Sequence, residues 1–563
     1  MADENRRDYY ERRKGQMDTE RSSFMPHWRE ISDYNQVRRG RFEKTDVNRG
    51  EKRHNNIINS TGIRASNTAQ AGMFAGVMSP TRPWFDLATP DPGLMEFMPV
   101  KVWLRGVAKQ MRAIFNSGNL YTMAPTMIGE LLNFGTGCMT QVDDDDNLAR
   151  FFTHTVGSYW ISQNDQFVVD TLVREFMMTA EQMARSFTDG KDLSKLSTPV
   201  RTAIDRGNYD AKFPVVHFIE PNDDYRPDNP LAQNKEFASV KYETGNTDKD
   251  AYLSQSGFDE FPGYVPRWAL TGEDIYGTNC PGMSSLGDNK QLQIEEKRKG
   301  QAIDKMVNPP LVGPASVRNT PITSLPGGLN IYSGDPSQTK LEPLYLVNIS
   351  LQELKEDIAQ VERRIENAYF VDLFLAISNM EGIQPRNQLE LSERNAERLL
   401  QLGPVLERMQ GDFLDKMISR TFNQMIRANV VPSPPPELEG QALKVEYISS
   451  LAQAQRAVDT RGIDRLTQYQ GGLLSAGLSD GKKFNGDKAF EEYADLLGTP
   501  PGLIVSDEDV AQQRQAEQQQ QAMAQNFEAA NSAAQTAASA GQVDLEKDTP
   551  VSRALNAVGG QRG

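Results

Sequence analysis

Ser350-Leu351-Gln352-Glu353-Leu354-Lys355-Glu356-Asp357-Ile358-Ala359-Gln360-Val361-Glu362-Arg363-Arg364-Ile365-Glu366-Asn367-Ala368 decides how this chain is built. Leu351, Leu354, Ile358, Val361, Ile365 and Ala368 recur at alternating intervals of three and four residues. That spacing puts the apolar side chains on one face of a helix. Glu353, Lys355, Glu356, Arg363 and Arg364 fill the other face. Continued to Ile377, such a helix would be about 40 Å long. Upstream, Asp288 to Met306 reads as a polar, charged helix that Asn308-Pro309-Pro310 must end, because proline lacks the amide donor and disfavours helix in the residue before it. Between the two helices, Leu311 to Val347 is Pro/Gly-rich and extended, with a turn at Pro326-Gly327-Gly328. Helix, extended excursion and returning helix make a hairpin with a tip, for which a monomeric enzyme has no evident use.

On either side of the hairpin the reading is α+β and mainly helical rather than a repeating βαβ pattern. Residues 1–40 read as a charged helix with Trp28, Ile31 and Tyr34 on one side, and 56–79 as a helix rich in small residues, stopped by Ser79-Pro80. Trp84-Phe85-Asp86-Leu87 alternates as a strand. Two helices are expected around Val102–Phe115 and Tyr121–Phe134, the second ended by Gly135. Strand pieces follow at Phe151–Thr153 and Phe167–Val169, then a helix over 187–210 and a strand at Val215–Ile219. Pro221 to Gly287 is rich in Pro, Gly and Asn, with extended pieces. A further helix from Ser392 to Ile426 should kink or restart at Gly403-Pro404 and end at the proline run 432–436. Leu443 to Ile448 alternates as a strand, and helices are expected from Ser449 to about Leu497. The Gln/Ala-rich stretch 506–540 has little to bury and is open to two readings, a loosely attached helix or disorder.

Composition narrows the partners. The 563 residues carry a formal net charge of −15, and 38% are apolar; the mean hydropathy is −0.57. That balance argues against a protein that wraps nucleic acid through clustered Lys and Arg. It is compatible with a conduit, whose acidic wall repels phosphate, though charge alone favours an ordinary acidic cytosolic protein. Cys138 and Cys280 have no metal-ligand spacing and point to a reducing compartment. The charged N-terminus carries no secretory signal, and no apolar run approaches the ~20 residues of a membrane span.

Chemistry-bearing motifs are scarce. Gly190-Lys191 and Gly481-Lys482 lack the spaced glycine and the hydroxyl of a phosphate loop. Gly135-Thr136-Gly137 lacks the third glycine of a dinucleotide fingerprint. Asp143 to Asp146 lacks the ligand spacing and glycine of a calcium loop and reads as a solvated hairpin tip. The four histidines, His27, His54, His154 and His217, are far apart and without metal spacing. No catalytic residue, cofactor site or metal site is expected.

Five blocks, in order, resemble the head-to-tail connector, or portal, family of short-tailed phages. The first is Gly40-Arg41-Phe42, Asp46-Val47-Asn48-Arg49-Gly50-Glu51-Lys52, Ile57-Ile58-Asn59-Ser60-Thr61-Gly62 and Met78-Ser79-Pro80-Thr81-Arg82-Pro83-Trp84-Phe85. The second is Trp103-Leu104, Phe115-Asn116-Ser117-Gly118-Asn119-Leu120-Tyr121 and Asn133-Phe134-Gly135-Thr136-Gly137. The third is Asn308-Pro309-Pro310-Leu311 with Pro326-Gly327-Gly328, and the fourth Leu402-Gly403-Pro404-Val405-Leu406-Glu407-Arg408 with Ile418-Ser419-Arg420-Thr421-Phe422. The fifth runs from Val445 to Arg456. Asn387-Gln388-Leu389-Glu390 departs from the family's Thr-Ala-Thr-Glu-like segment.

The resemblance implies a dodecameric ring subunit and no enzymatic activity. By position, 1–287 would be wing, 288–308 and 350–380 stem helices, 309–349 a β-containing clip and 381–392 a tunnel loop. Residues 393–449 would be further wing, 450–505 a helical crown and 506–563 the Gln/Ala-rich tail. Implied partners are other copies of the chain, viral double-stranded DNA in the channel, terminase, the major capsid or scaffold protein, and tail adaptors; no membrane is involved. The ring would be assembled in the host cytoplasm and sit at the capsid vertex of the virion. Arg386 in the tunnel loop, with Arg318 and Lys340 in the clip, are the expected DNA-facing cations. A tail or scaffold component, or a carboxylate-dependent enzyme, are the alternative readings.

Overall fold

Arg6–Asn35 forms the thirty-residue helix α1 of the computed structural model and sinks Trp28 and Ile31 completely. The structure describes residues 6–37, 42, 56–91, 94, 97–188, 192–228, 231, 233–246, 252–313, 315, 318, 322–323, 328–329, 331, 342–344, 351–379, 400–438, 443–447, 463, 466–477, 484–486, 488–490 and 507–539. They fall into two units, Met1–Arg461 and Gly462–Gly563.

In the first unit, α1 spreads its length along a sheet. Arg7 donates to the Glu243 carbonyl at 3.1 Å and Arg21 to the Gly157 carbonyl at 2.6 Å, while Trp28 meets Tyr276 edge-on at 5.2 Å. Helix α2 (Thr61–Val77) is built of small residues because its neighbours press close: a Cβ on Gly72 would lie 2.4 Å from Phe374 Cβ. Strand β1 (Phe85–Ala88) and helices α3 (Met98–Ser117) and α4 (Leu120–Phe134) follow as the sequence expects. Gly135 ends α4 with φ +79°, a conformation glycine adopts without penalty.

Strands β2 (Cys138–Asp144) and β3 (Leu148–His154) pair antiparallel around an exposed tip at Asp145 and Asp146. β4 (Tyr159–Gln163), β5 (Val169–Thr179), β6 (Lys212–Pro221), β7 (Phe237–Glu243) and β8 (Ser254–Phe258) form a five-stranded antiparallel sheet in sequence order. β9 (Gly263–Tyr264) adds to β2. The single helix expected over 187–210 is instead two short ones, α5 (Ala180–Phe187) and α6 (Thr198–Asp205). Thr179 and Gln182 close a capping box on the first, while Ser197 caps the second with a proline in its first turn, so the start signals lie earlier and later than the apolar pattern implied.

The hairpin forms. α7 (Leu286–Val307) runs out, β10 (Leu311–Val312) pairs antiparallel with β11 (Glu342–Pro343), and α8 (Leu351–Ala368) returns. α8 does not continue to Ile377. Phe370 takes φ +55°, and a separate helix α9 starts at Val371 and ends at Asn379. The interruption falls where Tyr369 turns fully inward to hydrogen-bond.

Residues 400–409 are helical straight through Gly403-Pro404, with no restart there. The irregularity comes later, as a π turn at Gln410–Leu414 before α10 (Asp415–Arg427). β12 (Lys444–Tyr447) pairs with β1, joining residues some 360 positions apart, Phe85 opposite Tyr447. In the second unit, residues 466–475 are helical and α11 (Asp507–Ser539) is a helix whose described side chains are largely exposed. Of the two readings left open for the Gln/Ala-rich stretch, the helix is the one seen. Much of the helical stretch expected from Ser449 to Leu497 lies outside the described residues.

The main core sits where α2, α3, α4, α8, α9 and α10 converge, with Ala69, Met111, Ile128, Ile365, Leu373 and Met417 at its centre. Two further clusters cover the faces of the five-stranded sheet. Tyr10 and Met17 of α1 seal one face over Val173, Val216 and Val240, while Met183 and Val200 of α5 and α6 cover Val215 on the other.

Candidate functional site

The helical hairpin is held at its base by other elements of the first unit. At its base Arg364, near the end of α8, contacts Asp288 at 3.0 Å and Gln291 at 3.2 Å near the start of α7, so the two arms are antiparallel. Beneath this runs a buried chain of donations. Asn289 Nδ2 donates to Asn35 Oδ1, Asn35 Nδ2 to the Tyr369 hydroxyl, and that hydroxyl to Asn133 Oδ1, each at 2.8 Å. Asn133 Nδ2 passes on to the Gly129 carbonyl at 2.9 Å. Burial pushes the Tyr369 phenol up, so it stays protonated and able to donate. The relay ties α7, α1, the end of α8 and α4 into one joint, and such chains polarise and strengthen their members.

Gln293 of α7 makes a second clamp by imitating a peptide. Its Oε1 accepts from the backbone amides of Ile58 and Asn59 at 2.7 and 2.9 Å, and its Nε2 donates to the Asn59 carbonyl at 2.9 Å. Asn59 Nδ2 reaches Glu362 of α8 at 2.8 Å. Gly62 is glycine because a Cβ there would lie 2.1 Å from Asn289 Oδ1. Thus the Ile57–Gly62 block holds both arms of the hairpin.

The other blocks have comparable structural uses. Asn119 exchanges two hydrogen bonds with the Phe151 backbone at 2.8 Å, continuing the β3 edge with a side chain. Thr136 Oγ1 accepts from the Gly277 amide at 2.8 Å, and Gly135 packs against Gly277 with no room for side chains. Sequence reasoning singled these blocks out without their roles. What singled them out was their resemblance to the connector family; a side-chain amide or hydroxyl standing in for backbone shows only once its partner is in place.

The far end is different. Ile303, Met306 and Val307 lie three and four residues apart, on one face of α7, and are all exposed, Val307 at 71%. Leu311 and Val312 continue the strip onto β10, and Leu344 stands just past β11; these too are exposed. Single exposed apolar side chains are ordinary, whereas a contiguous strip marks an interaction surface.

Of the three cations expected to face DNA, Arg318 is exposed in the segment between β10 and β11. Arg386 and Lys340 lie outside the described residues. His154 and His217 are buried; their rings bond Thr140 and Ser239 hydroxyls at 2.9 Å, and burial, aided by Arg174, holds both well below the ordinary histidine value. His27 is exposed and His54 lies outside the described residues. Both cysteines are buried free thiols; burial pushes Cys280 up to about 12 and Cys138 further, which leaves neither nucleophilic at neutral pH.

The family model described as "Bacteriophage head to tail connecting protein" matches residues 7–505. A probable portal protein of Bordetella phage BPP-1 is 43% identical over 560 residues, covering 99% of this chain and 100% of that protein. The portal protein of Salmonella phage epsilon15 is 38% identical over 546 residues, covering 97% of each. The virion of a native gene transfer agent particle contains a chain with 13% identity and a TM-score of 0.33, over 79% of this chain and 91% of that one. The chain therefore belongs to the family of bacteriophage head to tail connecting proteins. Its function is that of a phage head–tail connector, a structural component of the virion, as the blocks led one to expect.

Proposed function

We propose that the chain is one subunit of a closed dodecameric ring at a capsid vertex, through which double-stranded DNA is packaged and later ejected. The observation that carries this reading is the apolar strip from Ile303 to Val312, exposed on a hairpin whose base is rigidly held. A second copy displaced by rotation covers such a strip, and repetition of that heterologous contact closes a ring. In this reading α7 and α8 are stem helices, β10, β11 and the segment between them the clip, and the α1-to-β9 region with α10 the wing. The β10–β11 ribbon is a short edge available for pairing between subunits.

The clip is the docking surface for terminase and afterwards for tail adaptors, and the wing meets capsid or scaffold protein. Arg318, Lys340 and Arg386 contact DNA; the hydrolysis that drives packaging belongs to the motor, and this chain is not an enzyme. Electron microscopy of the purified protein, with mass measurement of the same particles, tests the proposal. Rings of about twelve chains with a central hole are expected; a monomer or dimer without a channel would overturn it. Replacing Arg318, Lys340 and Arg386 by Gln should slow packaging without changing ring mass, and an unchanged packaging rate would remove them from the DNA path.

A further inference from the structure

The chain carries a formal net charge of −15, yet one cleft in the first unit is strongly cationic. It has a volume of about 580 Å³ and is lined by Arg174, Lys235, Lys241, Arg420 and Arg427 against only Asp143 and Asp259. Both carboxylates are committed at the rim. Asp259 takes Lys235 at 3.0 Å and Arg427 at 3.3 Å, while Asp143 accepts from Gln424 and lies 3.9 Å from Arg420.

The floor is set by strand register. Arg174 stands opposite His217, and His217 opposite Lys241, in one row across β5, β6 and β7. Arg174 and Lys241 are thus like charges on the two strands that flank β6. His217 stands between the two cations as a neutral ring bonded to Ser239, and a histidine in either protonation state brings no negative charge to offset them. Arg174 lies 4.3 Å from the Phe176 ring centre and Lys241 5.9 Å from that of Phe187. Neither meets a carboxylate of its own chain among the described residues. Burial lowers the pKa of both, Arg174 to about 10, so each is held charged at a cost that an arriving anion would relieve.

We infer that the Arg174–Lys241 cleft receives an acidic side chain from a second copy of this chain. The ring reading above supplies the second copy, and this inference rests on it. A chain with 76 acidic residues against 61 basic ones offers carboxylates on much of its surface. The phenyl rings of Phe152, Phe176, Phe187 and Phe258 wall the cleft, so its floor cations are reached by a side chain that enters it. A duplex backbone laid across the mouth would meet the rim instead. Once inside, a carboxylate gains charge-assisted hydrogen bonds in a partly desolvated setting, where they are strongest.

The test is zero-length carbodiimide coupling of particles assembled from mixed unlabelled and ¹⁵N-labelled full-length chains, after their mass has been measured. Lys241 should couple to an Asp or Glu with mixed-isotope pairs among the products, and Lys241→Arg should abolish that product while leaving the assembly intact. Rings in which Lys241 couples only within one isotope, or not at all, overturn the inference but not the ring. Rings that bind inorganic phosphate at unit stoichiometry, lost in Arg174→Gln, with Lys241 uncoupled, would make this a free-anion site and also overturn it. Particles that weigh as monomers overturn the ring reading, and this inference falls with it.

Discussion

The two ends of the hairpin are finished to different degrees. At the base, Asn289, Tyr369 and Asn133 are buried and linked through Asn35 in one hydrogen-bond relay, and Gln293, buried beside them, makes a second clamp on Ile58 and Asn59 within the same chain. At the far end, Ile303, Met306, Val307, Leu311 and Val312 are apolar and exposed. A base that is complete in one chain fixes the direction of the arm; an end that is incomplete in one chain asks for another molecule. The same contrast separates what stabilises the subunit from what assembles it, and substitutions at the two ends should fall on different measurements.

The largest loss is expected at the base. Gly62→Val drives a side chain into Asn289, which cannot move without abandoning Asn35. About 3 kcal/mol of stability should go, read as a lowered midpoint in chemical unfolding; an unchanged midpoint would mean that the joint is soft and the comparison misplaced. Tyr369→Phe is milder. It keeps the ring in the core but removes the hydroxyl between Asn35 and Asn133, and should cost about 1–3 kcal/mol in the same assay.

Smaller again is a pH effect that belongs to the body of the subunit. His154 and His217 have folded-state pKa values below the ordinary 6.5, so as pH falls the unfolded chain takes up protons first. Their neutral burial costs nothing above about pH 6.5, and stability is lost below it, by at most about 1.4 kcal/mol per pH unit and histidine. Glu20, Asp170 and Glu243, whose carboxyls burial pushes up, act in the opposite sense and blunt the loss at the acid end. Unfolding midpoints that fall from pH 7.5 to 5.5, with a shallower fall in His217→Gln, are expected. A flat profile would mean that the buried histidines are not held neutral.

Local elements were legible where one signal dominated. The 3–4 alternation gave α8, and Gly135 gave the end of α4. The Asn-Pro-Pro at 308–310 gave the end of α7, and the hairpin followed from the order of the pieces. What the sequence hid was long-range. Nothing near Trp84 announces that β1 pairs with β12, and nothing near Ile365 announces that Tyr369 must leave the helix to bond Asn35 and Asn133. The same holds for the Arg174–His217–Lys241 row, in which three residues separated by some forty and some twenty positions meet only through strand register. Blocks such as Ile57–Gly62 and Asn133–Gly137 were visible as unusual, but their use as backbone substitutes depends on partners brought by the fold.

The smallest effect on the subunit should come from the far end, and it is the one that most directly tests the comparison. Ile303→Asp with Val307→Asp places two charges on side chains that already face water. Chain stability should therefore stay within about 0.5 kcal/mol of the parent. Assembly should be lost, because carboxylates placed in a strip that another copy must cover would be desolvated there without partners. Unfolding midpoints and particle mass, measured on one preparation, separate the outcomes. A stable chain that no longer forms high-mass particles locates the assembly surface at the far end. A stable chain that still forms them leaves the strip exposed after assembly and moves the interface elsewhere. A destabilised chain would show that the far end is packed within one subunit, and the division between a finished base and an unfinished tip would be wrong.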